Sequence, residues 1–216
     1  MMTDEQFVEA SSALGCQPTD PQLVLLNRYR DLLTAWSQRV RLVSRGDVDY
    51  LQERHFLDSV SLIPHLGPGP LLDLGTGGGL PGIPIKILQP DRQVLLVDSV
   101  RMKCLFLRQA VAELELPDTD VRHQRVESLQ EEEGVRGKMG IVTARAVTEL
   151  RQLWEWSAPL LREGGYLVAM KGPDETDQWM GAESWPAVGG VSLATVSIPS
   201  AGRERAILRL QKVQGD

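Results

Sequence analysis

An acid closing an apolar run, followed by closely spaced glycines, is the part of this chain best suited to chemistry. It reads Leu71-Leu72-Asp73-Leu74-Gly75-Thr76-Gly77-Gly78-Gly79-Leu80-Pro81-Gly82. The apolar residues predict a buried strand. Glycine reaches φ > 0 and lets a ligand press against bare main chain. A helix opening near Pro81 would aim its free N–H groups and dipole into the same crevice. Together these features predict a cofactor cradle at a strand-to-helix turn, against the plainer alternative of a glycine-rich surface loop.

Two cofactors fit the glycines. Gly77-x-Gly79-x-x-Gly82 matches the dinucleotide fingerprint G-x-G-x-x-G. Asp73-x-Gly75-x-Gly77-x-Gly79 resembles the first motif of Rossmann-like methyltransferases that use S-adenosylmethionine (SAM). A pyrophosphate beside Asp73 is repelled, whereas the cationic amino-acid end of SAM is attracted. The dinucleotide match also starts four residues past Asp73, late for a tight turn off the strand. Both points favour SAM over a nicotinamide cofactor.

Positioning such a turn requires a sheet, and the surrounding patterns supply one. After the break at Gly67-Pro68-Gly69-Pro70, strands are expected at Leu71–Leu74, Gln93–Asp98, Asp120–Arg125, Gly140–Thr143 and Tyr166–Met170. Helices are expected between them at Pro81–Leu88, Arg101–Leu116 and Thr148–Leu161. Val191–Ile198 and Ala206–Gln211 close the chain as two strands with no helix between them. Repeated βα units require a parallel sheet covered on both faces, and the closing pair implies an antiparallel edge. The pattern is therefore that of an α/β sandwich, mostly parallel, with an antiparallel C-terminal strand; the resemblance of the glycine motif implies that it is a Rossmann-like SAM-dependent methyltransferase.

The first third is helical. A short helix is expected from Asp4 to Leu14, and Asp20-Pro21 caps a second whose stripe runs from Leu23 through Tyr29 and Trp36 to Val40. A third is expected from Asp47 to Leu62. Residues 1–66 thus read as an N-terminal helical cap and residues 67–216 as the SAM-binding methyltransferase domain.

Ligands in such sheets sit at the carboxyl ends of the strands, which yields further candidates. The second strand ends in Asp98, able to accept from two ribose hydroxyls or to cap the next helix. The third ends in Arg125-Val126-Glu127, where Glu127 is a ligand or a first-turn acid. The fourth ends in Thr143-Ala144-Arg145-Ala146 and the fifth in Lys171-Gly172-Pro173. Arg145 and Lys171 would point into the crevice or pair with surface acids.

The fourth strand narrows the reaction. Methylation of exocyclic base amines typically uses Asn/Asp-Pro-Pro-aromatic here, and carbon-5 methylation of pyrimidines uses a cysteine after proline; this chain has neither. A basic side chain suits a nucleophile that already carries a lone pair and loses no proton, such as guanine N7. Alignment for in-line displacement would then do the work of a general base.

Composition sets the limits. The chain of 216 residues holds one sizeable core, is 42% hydrophobic and 24% charged, and starts without the basic and apolar segments of a signal peptide. No apolar run approaches a membrane span. Cys16 and Cys104 form neither a disulfide framework nor a metal pattern, which fits a reducing cytoplasm. The net charge of −6 argues against broad nucleic-acid coating. It leaves room for a local site, because Arg28, Arg30, Arg39, Arg41 and Arg45 surround the single acid Asp31. Such a cluster holds phosphates or is a solvated helix face. A single acidic unit makes a monomer the expected state.

From Leu23 to Leu210 the chain resembles the bacterial small-subunit ribosomal RNA guanine-N7 methyltransferases, historically called glucose-inhibited division protein B. The likeness rests on Arg54-His55-Phe56-Leu57-Asp58-Ser59, on Asp73 to Gly82 continuing into Ile83-Pro84, and on Val97-Asp98-Ser99, Arg145-Ala146 and Met170-Lys171-Gly172. It implies that Gly75, its neighbouring glycines and Leu80 line the SAM site, that Asp98 holds the ribose, and that Val126 and Glu127 border the adenine. It places Arg145 beside cofactor and target base, Lys171 and Arg205 on the RNA or guanine, and His55 and Asp58 as braces between cap and crevice. The implied substrate is guanine 527 of 16S RNA, on naked RNA or the 30S subunit. Two departures stand out: Arg41-Leu42-Val43 where Asn-Leu-Thr is common, and Arg205-Ala206 where Arg-His is common. A small-molecule methyltransferase and a non-catalytic SAM-sensing module are the competing functions.

Overall fold

The computed structural model describes residues 2–145, 148–172, 181–199 and 202–214. Its seven-stranded sheet contains β1 (Leu71–Leu74), β2 (Val94–Asp98), β3 (Thr119–His123), β4 (Met139–Arg145), β5 (Leu161–Lys171), β6 (Val188–Ile198) and β7 (Arg203–Lys212). The strand order is β3-β2-β1-β4-β5-β7-β6. β1 to β5 pair in parallel, and β7 runs antiparallel between β5 and β6. The order reverses between β1 and β4, the switch point where such sheets bind ligands. This is the expected mostly parallel sandwich with its antiparallel C-terminal strand.

Helices α1 (Asp4–Ala13) and α2 (Asp20–Ser37) precede the sheet. The cap of α1 is a reciprocal pair: Gln6 N–H donates to Thr3 Oγ1, and Thr3 N–H donates to Gln6 Oε1. Thr19, one residue earlier than expected, caps α2, and the helix stops at Ser37, before Val40. The expected single helix from Asp47 to Leu62 is instead a succession of types. A 3₁₀ segment (Arg45–Tyr50) leads into a π-turn (Gln52–Phe56), and only Leu57–Leu62 is α-helical (α3). Helices α4 (Gly82–Leu88), α5 (Arg101–Glu113), α6 (Val126–Gln130) and α7 (Leu150–Ser157) connect the strands.

Side chains alternate across a strand, so each central strand feeds two apolar clusters. Leu71, Leu96, Ile141, Val168, Met170 and Ile207 join the cluster that contains Leu26, Tyr29 and Leu33 of α2, Phe56, and Ile83 of α4. Leu72, Leu74, Val97, Val142, Ala144, Leu167 and Ala169 join the other, under α6 and α7. The N-terminal helices therefore share their core with one whole face of the sheet. Among the described residues, no helix is long and apolar enough to cross a membrane.

Five strands differ from expectation at their ends by two residues or more, β6 and β7 each beginning three residues early. β3 ends at His123, so Arg125 caps α6 and Val126-Glu127 open that helix. β4 begins at Met139 and extends to Arg145. β5 begins at Leu161, with Gly164-Gly165 accommodated where the register jumps from Met139–Leu161 to Ile141–Tyr166. Ala146 and Pro173 lie outside the described residues.

Candidate active site

The glycine turn is assembled from inside the protein. Asp73 is fully buried, and its Oδ2 accepts the Thr76 hydroxyl at 2.6 Å and the Gly82 N–H at 2.8 Å. Within the first four residues of α4, Ile83 N–H donates to Gly79 O, Ile85 N–H donates to Pro81 O, and Pro84 has no N–H. The expected free donors at this helix start are therefore all spent within the protein. A pyrophosphate would meet a buried carboxylate where the dinucleotide fingerprint needs an anion hole.

The glycines divide into two groups. A Cβ at Gly79 would lie 2.5 Å from Ile83 Cδ1, and one at Gly82 would lie 2.4 Å from Leu96 Cδ2. One at Gly78 would lie 3.0 Å from Leu33 Cδ2. These three glycines permit close packing, and Leu80 is buried beside them. Gly75 and Gly77 instead take φ of +67° and +60°, with Gly75 exposed and Gly77 half-buried. A Cβ at Gly77 would meet only Gly75 O, at 3.9 Å. The bare main chain offered to a ligand is Gly75–Gly77; Gly79 and Leu80 support it from behind.

Although the cap position of α5 itself falls to Val100, Asp98 braces two stretches of main chain. Its Oδ2 accepts the Gly77 N–H at 2.9 Å, its Oδ1 accepts the Val100 N–H at 2.8 Å at the start of α5, and Lys103 Nζ lies 3.5 Å from Oδ2. The carboxylate thus ties the end of β2 to the glycine turn, and its remaining lone pairs suit ribose hydroxyls. Val126 is buried against Leu74 and Val97, while Glu127 is an exposed acid in the first turn of α6.

Alternation along β4 and β7 gathers the basic residues. Arg145 shares its parity with Ile141, and Arg203 and Arg205 share theirs with Ile207, so all three face the N-terminal helices. There they meet one buried carboxylate, Asp58 of α3. Arg205 donates Nε and Nη2 to its two oxygens at 3.2 Å each, Arg145 Nη1 lies 3.8 Å away, and Arg203 Nη2 lies 3.9 Å away. Arg203 also donates to Glu53 O at 2.9 Å. Lys171 has the other parity, beside Ala169 and opposite Ala206, and donates to Thr148 O at 3.1 Å. Of the three basic residues expected to act together, Arg145 and Arg205 converge and Lys171 does not join them at Asp58.

Burial dominates the local electrostatics. It pushes the Asp73 carboxyl up to about 7, against the opposing pull of Thr76, Gly82 and Arg145. Burial also lowers His55 to about 4, helped by the Arg145 and Arg203 charges and opposed by Asp47. Asp73 Oδ1 and Thr143 Oγ1, on residues paired across the β1–β4 switch point, are buried without a hydrogen-bond partner among the described residues. A buried carboxylate beneath the turn disfavours an anion above it and suits the cationic end of SAM. The residues present fit that cofactor.

Tyr29 is the site residue that sequence reasoning assigned only to packing. Its hydroxyl donates to Gly78 O at 2.5 Å, and its ring stacks on Phe56 with centroids 5.3 Å apart. Burial raises its phenol well above the usual range. The stripe of α2 contained it; nothing in that spacing distinguishes a hydroxyl that reaches a turn from one that packs.

With this geometry in view, comparison with known proteins is informative. Residues 22–208 match the family model described as rRNA small subunit methyltransferase G. The ribosomal RNA small subunit methyltransferase G of Chromobacterium violaceum is 39% identical over 206 residues, covering 95% of this chain and 96% of that protein. Its counterpart from Chloroflexus aggregans is 36% identical over 215 residues, covering 98% and 90%. Among solved structures, M. jannaschii TYW2 in complex with AdoMet shares the fold, with a TM-score of 0.56 at 7% identity over 82% of this chain and 80% of that one. The chain belongs to the rRNA small subunit methyltransferase G family and is an enzyme of the SAM-dependent methyltransferase class.

Proposed function

We propose that the protein methylates N7 of a guanine in small-subunit ribosomal RNA, guanine 527 of 16S RNA. Residues 67–216 form the SAM-binding unit and residues 1–66 the cap that completes the crevice. Bound SAM would supply a methyl group activated by its sulfonium; in-line attack by the N7 lone pair would form the new bond and leave the broken bond's electron pair on sulfur.

The observation that carries this reading is Arg145 at the end of β4, a guanidinium held by Asp58 where amine-methylating enzymes need a group that accepts a proton. Nearby candidates for such a group are unsuited. His55 is too weak a base near neutrality, and Asp73 is sealed under the turn. Guanine N7 needs no base, because it has no proton to lose. Gly75–Gly77 and Asp98 hold the cofactor, Arg145 lies beside cofactor and base, and Arg205 and Lys171 hold RNA. Orientation of the two reactants then supplies the rate enhancement, roughly 7–11 kcal/mol in favourable cases. The ribosomal target and the free thiols of Cys16 and Cys104 fit a cytoplasmic enzyme.

The test is incubation with labelled SAM and 30S subunits from a strain lacking the modification, followed by borohydride–aniline scission to map 7-methylguanine. Label confined to one 16S guanine at N7 is expected. Label on an exocyclic nitrogen, or SAM binding with no transfer to RNA, would overturn the proposal.

A further inference from the structure

The segment that joins α2 to the 3₁₀ turn, residues 38–44, lies against the cofactor turn through Leu42, and Arg45 opens the 3₁₀ turn. A Cβ at Gly78 would come within 3.3 Å of both Leu42 Cβ and Leu42 O. Leu42 and Val43 are buried, and Val40 packs on the same core cluster. Arg41 between these anchors, and Arg39 and Arg45 on either side of them, are all exposed. None of the three has an ion pair or a side-chain hydrogen bond among the described residues. The other basic residues nearby are already engaged: Arg28 donates to Glu113 O, Arg30 pairs with Asp31, and Arg54 pairs with Asp47.

The segment therefore combines apolar residues anchored in the core, with Leu42 against the glycine turn, and cations held out to solvent. Pinned anchors fix where the cations stand relative to the cofactor, which a loose basic loop would not do. On a protein of net charge −6, three unneutralised arginines beside the reaction centre are a local reversal of sign. Guanidinium groups pair with phosphate oxygens in a forked geometry that carries no base information.

We infer that Arg39, Arg41 and Arg45 form a backbone-phosphate rail that seats the RNA strand across the cofactor turn. This rests on the ribosomal RNA reading above and adds the contact surface that sets register. Base selection is left to groups deeper in the crevice.

The test compares the wild-type protein with R39A/R41A/R45A and R39K/R41K/R45K, measuring affinity for naked 16S RNA and for 30S subunits across a salt series, and SAM affinity by calorimetry. The alanine variant is expected to bind RNA at least about tenfold more weakly, with the log–log salt slope reduced by about two to three. The lysine variant retains most of the slope, and SAM affinity stays at the wild-type value in both. An unchanged slope in the alanine variant overturns the inference. A parallel loss of SAM affinity also overturns it, because the segment would then act through the turn. A slope change seen with assembled subunits but absent with naked RNA overturns it in favour of a ribosomal-protein contact. Failure of the wild type to bind RNA in either form, naked or within 30S subunits, instead overturns the functional reading on which the inference rests.

Discussion

Arg205 of β7 lays its guanidinium across Asp58 of α3, donating Nε to one carboxylate oxygen and Nη2 to the other at 3.2 Å each. The two residues are 147 positions apart in sequence. Their pairing joins the last strand to the N-terminal helices, and Arg145 and Arg203 approach the same carboxylate from β4 and β7.

Removing that carboxylate should destabilise the fold. Asp58→Ala leaves three guanidinium groups without their shared counter-ion. Their side chains keep 21–29% exposure, so solvent screening reduces the cost below that of a sealed pair. We expect a loss of about 2–3 kcal/mol in urea unfolding. Asp58→Asn should cost less stability yet still lower turnover more than SAM affinity. Wild-type stability in both variants would refute the counter-ion role.

Tyr29→Phe removes one hydroxyl and keeps the ring stacked on Phe56. It leaves the Gly78 carbonyl without its Tyr29 donor, which costs about 1–3 kcal/mol. SAM affinity should fall too, since the turn loses its tie to α2. Calorimetry showing unchanged SAM binding would limit Tyr29 to stability.

Asp73 and His55 predict opposing pH dependences. Asp73 is raised from 3.8 to about 7, so between those values the folded state holds the extra proton and stability falls as pH rises. His55 is lowered from 6.5 to about 4, so across that window the unfolded state holds the extra proton and stability rises with pH. Each contributes a slope of up to about 1.4 kcal/mol per pH unit. Unfolding measured from pH 4 to 7 should tilt upward in Asp73→Asn and downward in His55→Gln, relative to wild type. The same tilt in both variants would contradict the assignment.

Asp98→Ala should weaken SAM binding by roughly 1–3 kcal/mol, through lost ribose hydrogen bonds and a loosened Gly77. Asp98→Asn, which keeps an acceptor oxygen, should lie between. Full affinity in the alanine variant would remove the ribose assignment.

If Arg145 aligns the base beside the cofactor as proposed, Arg145→Ala reduces turnover more than SAM affinity. Single-turnover kinetics with excess subunits separate the two effects. Equal losses would make Arg145 a cofactor residue only.

Much of this fold could be read from the sequence, because hydrophobic period and breaker residues act locally. The Gly67-Pro68-Gly69-Pro70 break, β1, α4 and β2 fall within a residue or so of their expected places. The 3₁₀ and π segments before α3 were not legible, since their apolar spacing also satisfies an α-helix. Candidate residues at strand ends were legible from type and position. Their partners were not. The meeting of Arg145, Arg203 and Arg205 at Asp58 depends on strand parity and on where α3 docks, and only the register reveals either. The same parity separates Lys171 from them, although its charge and strand-end position look equivalent in sequence.

The plugged start of α4 bears on what competes for the crevice. Cells hold adenine nucleotides in abundance, and these share an adenosine half with SAM. Adenine and ribose contacts alone would leave the enzyme open to inhibition by ATP and its relatives. With the Gly82 N–H taken by the Asp73 carboxylate and those of Ile83 and Ile85 by main-chain carbonyls, the chain denies a triphosphate its usual seat at that helix start. The adenosine half can be recognised generously because the other end of the site turns phosphates away.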